Sequence, residues 1–256
     1  MKMIIAQERT VIPACDVGFD KFGELIKETG GLPGIGAYKI GAALALKKGI
    51  GELVRIVDCG AGRPVIYDHQ KAGTDIHEET PQQFMDTMKE ADVRAVILFP
   101  QSGPVSEYEW IKAAQERNLG VIVGGEMTHP RFLEGDFKEG KKNYTEIFHK
   151  LGIEHQLTGY LRSDAPDDIY MLAARMGVTD FVVPGNKPER IQHYKSLVEQ
   201  CGVTEPVFYS PGLIAQGGSI SEATKVAGNR WHAIVGRALY DAPDMRQAAR
   251  ELTSQL

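Results

Sequence analysis

Two aspartates and a lysine follow a short apolar run in the first third of the sequence. Asp68 ends the run, and Lys71 and Asp75 come shortly after it. Carboxylates that flank a lysine favour its charged form and raise its pKa. Such a lysine donates a proton at neutral pH and is a poor general base or Schiff-base former. The pattern therefore predicts chemistry in which a carbanion is formed and then protonated.

A second lysine and a third aspartate belong with these charges. Lys39 stands inside the apolar run 36–41, and Asp16 directly follows the apolar run that ends at Cys15. A lysine at a sheet edge would keep its ammonium in water, but a closed barrel has no edge. We therefore expect Lys39 and Asp16 to join Asp68 and Lys71 in an alternating cluster of ammonium and carboxylate groups.

A glycine-rich loop late in the chain is typical of a phosphate site. The stretch 210–219 contains Pro211, Gln216, Gly217 and Gly218 and leads into a helix with its own capping residue. Arg237 follows the next apolar run. Backbone amides at a helix N-terminus bind phosphate, and an arginine adds a bidentate, charge-assisted contact. A Gly-Gly pair alone is more often a simple turn, so the prediction depends on the loop and the arginine together.

The elements that must position these residues are eight apolar runs separated by amphipathic stretches. The runs are continuous, which is typical of strands buried on both faces of a parallel sheet. Eight strand–helix units in one chain of 256 residues predict a single-domain α/β fold over residues 1–256, a (β/α)8 TIM barrel. An open doubly wound sheet is the alternative, although it usually has fewer strands. The predicted strands are Thr10–Cys15, Gly36–Gly41, Pro64–Asp68, Arg94–Phe99, Gly120–Gly125, Asp180–Pro184, Pro206–Ser210 and Trp231–Gly236.

Capping signals predict where several helices begin. Ser106 and Ser219 each precede a glutamate by three residues, as in a capping box, and Thr80 precedes a proline. Residues Ala242–Leu256 are amphipathic and predict a closing helix. Because an active site lies at the carboxyl ends of barrel strands, the loops between strands and helices hold the candidate residues.

The stretch between the fifth and sixth strands is too long for one helix. Residues Lys138–Leu151 predict an extra helix and residues Pro166–Met176 the regular one. We expect residues 131–163 to be an insertion in the connection that follows strand 5, within the same domain.

Composition excludes several classes of protein. The 29 basic and 34 acidic side chains give a net charge of −5, which disfavours nonspecific nucleic-acid binding. No apolar run is long enough to span a membrane. Three cysteines without a CxxC pair, and a short N-terminal apolar stretch, predict a reduced cytoplasmic protein. The seven histidines show no metal-ligand spacing, so no metal site is expected.

Several of these motifs together resemble the orotidine 5′-phosphate decarboxylase family, especially its archaeal members. The likeness covers the chain apart from the long connection after strand 5. The motifs that carry it are Ala14-Cys15-Asp16, Tyr38-Lys39-Ile40-Gly41, Gly125-Glu126-Met127-Thr128-His129-Pro130, Ser210-Pro211-Gly212, Ala215-Gln216-Gly217-Gly218 and Val235-Gly236-Arg237.

The resemblance implies a role for each matched residue. Asp16 would bind the ribose and Thr128 the pyrimidine. Lys39 corresponds to the lysine that the family carries on its second strand. The phosphate loop would contribute Pro211, Gln216, Gly217 and Gly218, with Gly236 and Arg237 from the next strand end. The family pattern D-x-K-x-x-D-I matches Asp68, Lys71 and Asp75 with one extra residue in each gap.

The implied activity is a carboxy-lyase reaction that converts orotidine 5′-phosphate to uridine 5′-phosphate in pyrimidine biosynthesis. It needs neither cofactor nor metal, with Asp68, Lys71, Asp75 and Lys39 as catalytic residues. The family also implies a homodimer in which Asp75 reaches the neighbouring site. Two alternatives stay open: a magnesium-dependent sugar-phosphate enzyme of the 3-keto-gulonate-phosphate decarboxylase or hexulose-phosphate synthase type, and a noncatalytic barrel that senses phosphorylated ligands.

Overall fold

Eight parallel strands form a ring at the centre of the computed structural model, which describes residues 3–68 and 74–256. Hydrogen-bonded neighbours run in the order β1-β8-β7-β6-β5-β4-β3-β2. The strands are β1 (Arg9–Pro13), β2 (Tyr38–Gly41), β3 (Val65–Asp68), β4 (Ala95–Leu98), β5 (Gly120–Gly124), β6 (Asp180–Val182), β7 (Val207–Ser210) and β8 (Trp231–Val235).

Short bridges between β1 and β2 close the ring. The amide of Cys15 donates to the carbonyl of Lys39 at 2.8 Å, and Val11 bridges Ile35. The predicted barrel is therefore confirmed, and the open doubly wound sheet is excluded. Most observed strands are shorter than the apolar runs that predicted them, because the run ends lie in the loops around the barrel rims.

Helices surround the strands and alternate with them. In the described residues they are α1 (Phe19–Thr29), α2 (Ala42–Lys48), α3 (Ile50–Ala61), α4 (Thr80–Glu90), α5 (Pro104–Glu116), α6 (Tyr144–Lys150), α7 (Ala165–Arg175), α8 (Pro188–Gln200), α9 (Ile220–Ala227), α10 (Arg237–Tyr240) and α11 (Met245–Thr253). The closing helix is present as α11.

The three helix starts predicted from capping signals differ in how well they agree with the structure. Ser219 is the N-cap of α9 and accepts from the amide of Glu222, as predicted. Ser106 is not a cap, because α5 already begins at Pro104, and its hydroxyl donates to the carbonyl of Asp75. Helix α4 begins at Thr80 itself, one residue earlier than predicted.

The connection between β5 and α7 contains one short helix, α6. The predicted helix Lys138–Leu151 was too long, because Asn143 caps α6 and accepts from the amide of Glu146. Before it, the carboxylate of Glu139 accepts from the amide of Tyr144 at 2.7 Å, which holds the chain in a non-helical turn. That residues 131–163 are an insertion stays a prediction.

Two apolar layers hold the barrel together. One layer fills the interior of the ring and includes Ile12, Ile66, Ile122 and Ile234. The other packs the helices onto the outside of the strands, around side chains such as Trp231. Burial on both faces accounts for the continuous apolar runs of the sequence. Within the residues described, no helix combines the length and the apolar character that a membrane crossing needs.

Candidate active site

The carboxyl ends of β1, β2 and β3 bring three charged side chains together. The Nζ atom of Lys39 lies 2.9 Å from Oδ2 of Asp68 and 3.3 Å from Oδ2 of Asp16. The Lys39 and Asp68 side chains are only 8% and 9% exposed, whereas Asp16 is 54% exposed. A Cβ atom at Gly41 would lie 2.7 Å from the Asp16 carboxylate, so only glycine allows this approach. Three members of the predicted cluster, Asp16, Lys39 and Asp68, are therefore together in the fold.

The cluster keeps Lys39 charged. Burial alone would lower the pKa of Lys39, but the negative charges of Asp68 and Asp16 outweigh burial and raise that pKa above its usual value. Oδ1 of Asp68 is buried without a hydrogen-bond partner among residues 3–68 and 74–256. Lys71, the predicted proton donor, lies outside the described residues.

These charges line one side of a cavity of about 230 Å³ inside the barrel mouth, here called the inner cavity. Thr128, Pro211, Gln216, Gly236 and Arg237 line other parts of it. The cavity thus joins the charged cluster to the glycine-rich loop. From the sequence, the two could be placed together only by assuming that both lie at strand ends of one barrel. Its floor is apolar and includes Ile97, Phe99, Val182 and Ile234.

Glu126 is a buried anchor at the end of β5. Its carboxylate accepts from Lys187 at 2.7 Å, from Arg190 at 2.8 Å and from the hydroxyl of Tyr194. Burial would raise the pKa of Glu126, but hydrogen bonds from Lys187, Tyr194 and Arg190 lower it. This residue links the Thr128 segment to α8. Its place in a sequence motif gave no indication of this structural role.

Contacts between loops position Thr128. The carbonyl of Thr128 accepts from the side-chain amide of Asn186 at 3.3 Å. A Cβ atom at Gly212 would lie 2.7 Å from the Thr128 methyl group, and Gly212 has a φ of +85°. Glycine at position 212 therefore allows the phosphate loop and the Thr128 segment to approach each other.

The glycine-rich loop 210–219 is well anchored, and two of the amides predicted to bind phosphate have partners within the loop. The indole of Trp231 donates to the hydroxyl of Ser210 at 2.8 Å, where the loop begins. The amide of Gly217 donates to Ile214, and that of Gly218 donates to Gly212. In this structure the loop uses both amides in its own turn, and their contact with a phosphate stays a prediction.

Arg237 is exposed and begins α10, with Gly236 between it and the end of β8. Its guanidinium has no ion pair or hydrogen bond with any residue of the described ranges. An arginine that lines a cavity and has no carboxylate partner among the described residues is available to an anion.

Asp75 lies apart from the cluster. It is exposed, its Oδ1 accepts from the amide of Ile76 at 2.7 Å, and it is not among the residues that line the inner cavity. Within one described chain, therefore, Asp75 does not join Lys39 and Asp68.

Some residues around the site were not among those predicted from the sequence. Phe99 and Met127 line the inner cavity, and Tyr240 lies against it from α10. Phe99 ended a predicted strand, which was a usable signal. No sequence signal pointed to Tyr240, because α10 spans only four residues and is too short to show a helical pattern.

The described residues contain no group of three or more His, Cys, Asp or Glu side chains that could hold a metal ion. The carboxylates of Asp16 and Asp68 instead share the ammonium of Lys39.

Comparisons with known proteins connect this geometry to a family. No protein-family model matches the sequence. The orotidine 5′-phosphate decarboxylase of Methanococcus maripaludis strain S2 is 29% identical over 244 residues, which cover 95% of each chain. The corresponding protein of Methanosarcina barkeri is 28% identical over 222 residues, covering 87% of this chain and 83% of the relative. The chain is homologous to the orotidine 5′-phosphate decarboxylases.

Solved decarboxylase structures share the fold. The Methanocaldococcus jannaschii decarboxylase, crystallised with the inhibitor BMP, superposes with a TM-score of 0.75 and 23% identity over 98% of this chain and 99% of that one. The Pyrococcus horikoshii decarboxylase gives a TM-score of 0.72 at 23% identity, over 96% and 98% of the two chains. The similarity to these decarboxylases thus extends over the whole barrel.

Proposed function

We propose that this protein decarboxylates orotidine 5′-phosphate to uridine 5′-phosphate in the synthesis of pyrimidine nucleotides. The names of its homologues indicate the same reaction. One observation carries the proposal: a single cavity joins the buried Lys39–Asp68 pair and the half-exposed Asp16 to the loop of Gln216 and Arg237. A nucleoside monophosphate has a phosphate at one end and a reacting base at the other, and this cavity offers matching groups for both.

The reaction breaks the bond between C6 of the pyrimidine and the carboxylate carbon. Carbon dioxide leaves, and its bonding electrons stay on C6 in the plane of the ring, where the ring π system cannot delocalise them. A preorganised positive charge must therefore stabilise the developing carbanion. We assign this role to Lys71, which then transfers a proton from its ammonium to C6.

Asp68 and Lys39 would position Lys71 and the ribose. The buried Oδ1 atom of Asp68 is free to accept a hydrogen bond, and Oδ2 is held by Lys39. Asp16 is anchored by the same ammonium and is exposed enough to bind ribose hydroxyls. Thr128 faces the inner cavity from the opposite side, as a contact to the pyrimidine requires.

We further propose that two chains form a homodimer in which Asp75 of one chain completes the site of the other. Support comes from exposed apolar side chains near Asp75: Ile76 is 62%, Val105 59% and Tyr108 45% exposed. The Ser106–Asp75 hydrogen bond of 3.0 Å joins the two segments that carry them. Exposed apolar groups of this kind are typical of surfaces that bind another protein.

A cytoplasmic location belongs to the same proposal. Cys15, Cys59 and Cys201 are all free thiols, as is usual in a reducing compartment.

The direct test is turnover of orotidine 5′-phosphate by the purified protein, followed as loss of substrate absorbance and appearance of uridine 5′-phosphate. Activity should survive dialysis against EDTA, because the ammonium of Lys39 already lies between the carboxylates of Asp16 and Asp68. A strict magnesium requirement would favour the sugar-phosphate enzymes. Tight binding of the nucleotide without turnover would favour a sensor.

A further inference from the structure

A second pocket opens on the outer side of the phosphate loop. It has a volume of about 740 Å³ and is here called the outer pocket. Thr128, Ala215, Gln216 and Arg237 line both the outer pocket and the inner cavity. The two spaces are therefore neighbours that share the proposed phosphate-binding side chains.

The segment between β5 and α6 supplies the far wall of the outer pocket. This wall carries two lysines, Lys138 and Lys141, both exposed. Neither ammonium forms an ion pair or a hydrogen bond with a residue in the described part of the chain. Together with Arg237, they give the pocket three cationic groups without a carboxylate partner.

The two carboxylates in the wall are already used. Asp136 accepts from the amides of Arg131 at 2.9 Å and Lys138 at 3.0 Å. Glu139 accepts from the hydroxyl of Thr145 at 2.6 Å and from the amide of Tyr144. These bonds direct both carboxylates into their own segment, so the lysines are left to attract an anion from the pocket.

We propose that the outer pocket is a subsite for a second phosphate group, so that a pyrimidine nucleoside 5′-diphosphate binds here in competition with the substrate. The inference rests on the proposed function, since it places the first phosphate at Gln216 and Arg237. A phosphoryl group attached to that phosphate would extend away from the inner cavity, towards Lys138 and Lys141. Uridine 5′-diphosphate, which carries one phosphate more than the product, then occupies the site and inhibits the enzyme.

The test compares the binding of UMP and UDP by calorimetry, with turnover measured separately. The unaltered protein should bind UDP at least as tightly as UMP. The double variant Lys138→Ala/Lys141→Ala should lose about tenfold in UDP affinity, while its UMP affinity changes by less than about threefold. Lys142→Ala is the matched control, because Lys142 is exposed in the same segment but does not line the outer pocket. It should bind both nucleotides as the unaltered protein does.

Other outcomes overturn the subsite. Equal losses for UMP and UDP in the double variant would mean that the lysines attract any anion or contact the first phosphate. An unchanged UDP affinity would mean that they contact no phosphate. Calorimetry also separates this inference from the proposed function: a protein that binds UDP through these lysines but does not turn over orotidine 5′-phosphate retains the subsite and lacks the activity. Failure to bind either nucleotide would refute both.

Discussion

Lys39 and Asp68 form a buried ion pair at the carboxyl ends of two adjacent strands, with 2.9 Å between Nζ and Oδ2. In the register of β2 and β3, Lys39 pairs with Ile66 and Gly41 with Asp68, so the long lysine side chain extends along the strands to reach the carboxylate. Because both side chains are more than nine-tenths buried, the pair affects stability as well as the site.

Removing the ammonium should therefore destabilise the fold. We expect Lys39→Met to lower the free energy of unfolding by about 3 kcal/mol, because it leaves the Asp68 charge buried without Lys39. Asp16→Asn, which alters the exposed partner, should cost less than about 1 kcal/mol. Urea unfolding at neutral pH measures both, and equal costs for the two variants would contradict this account.

The same pair predicts a pH dependence. The folded-state pKa of Lys39 is raised above its unfolded value of about 10.4. Its contribution to stability is thus complete below that pH and is lost as pH rises through the folded-state pKa. The stability difference between the unaltered protein and Lys39→Met should stay constant from neutral pH to about pH 10. A difference that falls between pH 6 and 8 would be inconsistent with a raised pKa.

Lys71→Ala should abolish turnover without preventing nucleotide binding. The variant loses the proton donor for C6 and the charge that stabilises the carbanion. The affinity for uridine 5′-phosphate should stay within about tenfold, or roughly 1.4 kcal/mol, of the unaltered value. Lys47→Ala, on an exposed face of α2, is the control. Near-normal turnover by Lys71→Ala would remove this residue from the mechanism.

Arg237→Ala should leave the phosphate partly unpaired, at a cost of at least about 2 kcal/mol of transition-state stabilisation. Because 1.4 kcal/mol is a factor of ten, kcat/KM should fall by at least about 30-fold. Binding energy at the phosphate can be used to close the loop 213–219 and order the charged cluster, so kcat should fall as well as affinity. Added guanidinium should restore part of the activity. A substrate without phosphate should be turned over poorly by the unaltered protein and be insensitive to this substitution. If that substrate loses as much as the whole one, Arg237 maintains the fold and does not bind phosphate.

Mixing two inactive variants tests the shared site. Asp75→Ala and Lys71→Ala homodimers each lack one group at both sites. Random exchange of subunits gives one intact site in every heterodimer, and about a quarter of the unaltered activity should return. Subunit exchange is verified by mass spectrometry of differently tagged chains. No recovery after verified exchange would show that Asp75 does not act across the interface.

Glu126→Gln should destabilise the protein by about 3 kcal/mol, because Lys187 and Arg190 would lose the charge that compensates them. It should also lower kcat, since the Thr128 segment would lose its link to α8. Glu146→Gln is the control, because the Glu146 carboxylate forms an exposed ion pair with Lys150 and has no other partner among the residues described. That control should change stability by less than about 0.5 kcal/mol. Equal effects of the two substitutions would show that burial of Glu126 contributes nothing.

The amino-acid sequence by itself determined the features that depend on local pattern. Continuous apolar runs predicted the strands, and Ser219 predicted the start of α9. Burial on both faces of a strand and the capping of a helix are both properties of short segments, so the sequence shows them directly. The alternation of eight such strands with helices then indicated the fold class. Motif spacing also identified Arg237 and the glycine-rich loop as candidates, since barrel topology places the ends of consecutive strands together.

The tertiary structure decided which groups meet and which do not. Closure of the ring between β1 and β2 brings Asp16 to Lys39, and strand register brings Lys39 to Asp68. The structure turned the Glu126 carboxylate into a buried anchor for α8, and it directed the Gly217 and Gly218 amides into the phosphate loop's own turn. Contacts between residues far apart in sequence depend on register, burial and competing hydrogen bonds. None of these is encoded in the identity of a single segment, so only the assembled barrel could fix them.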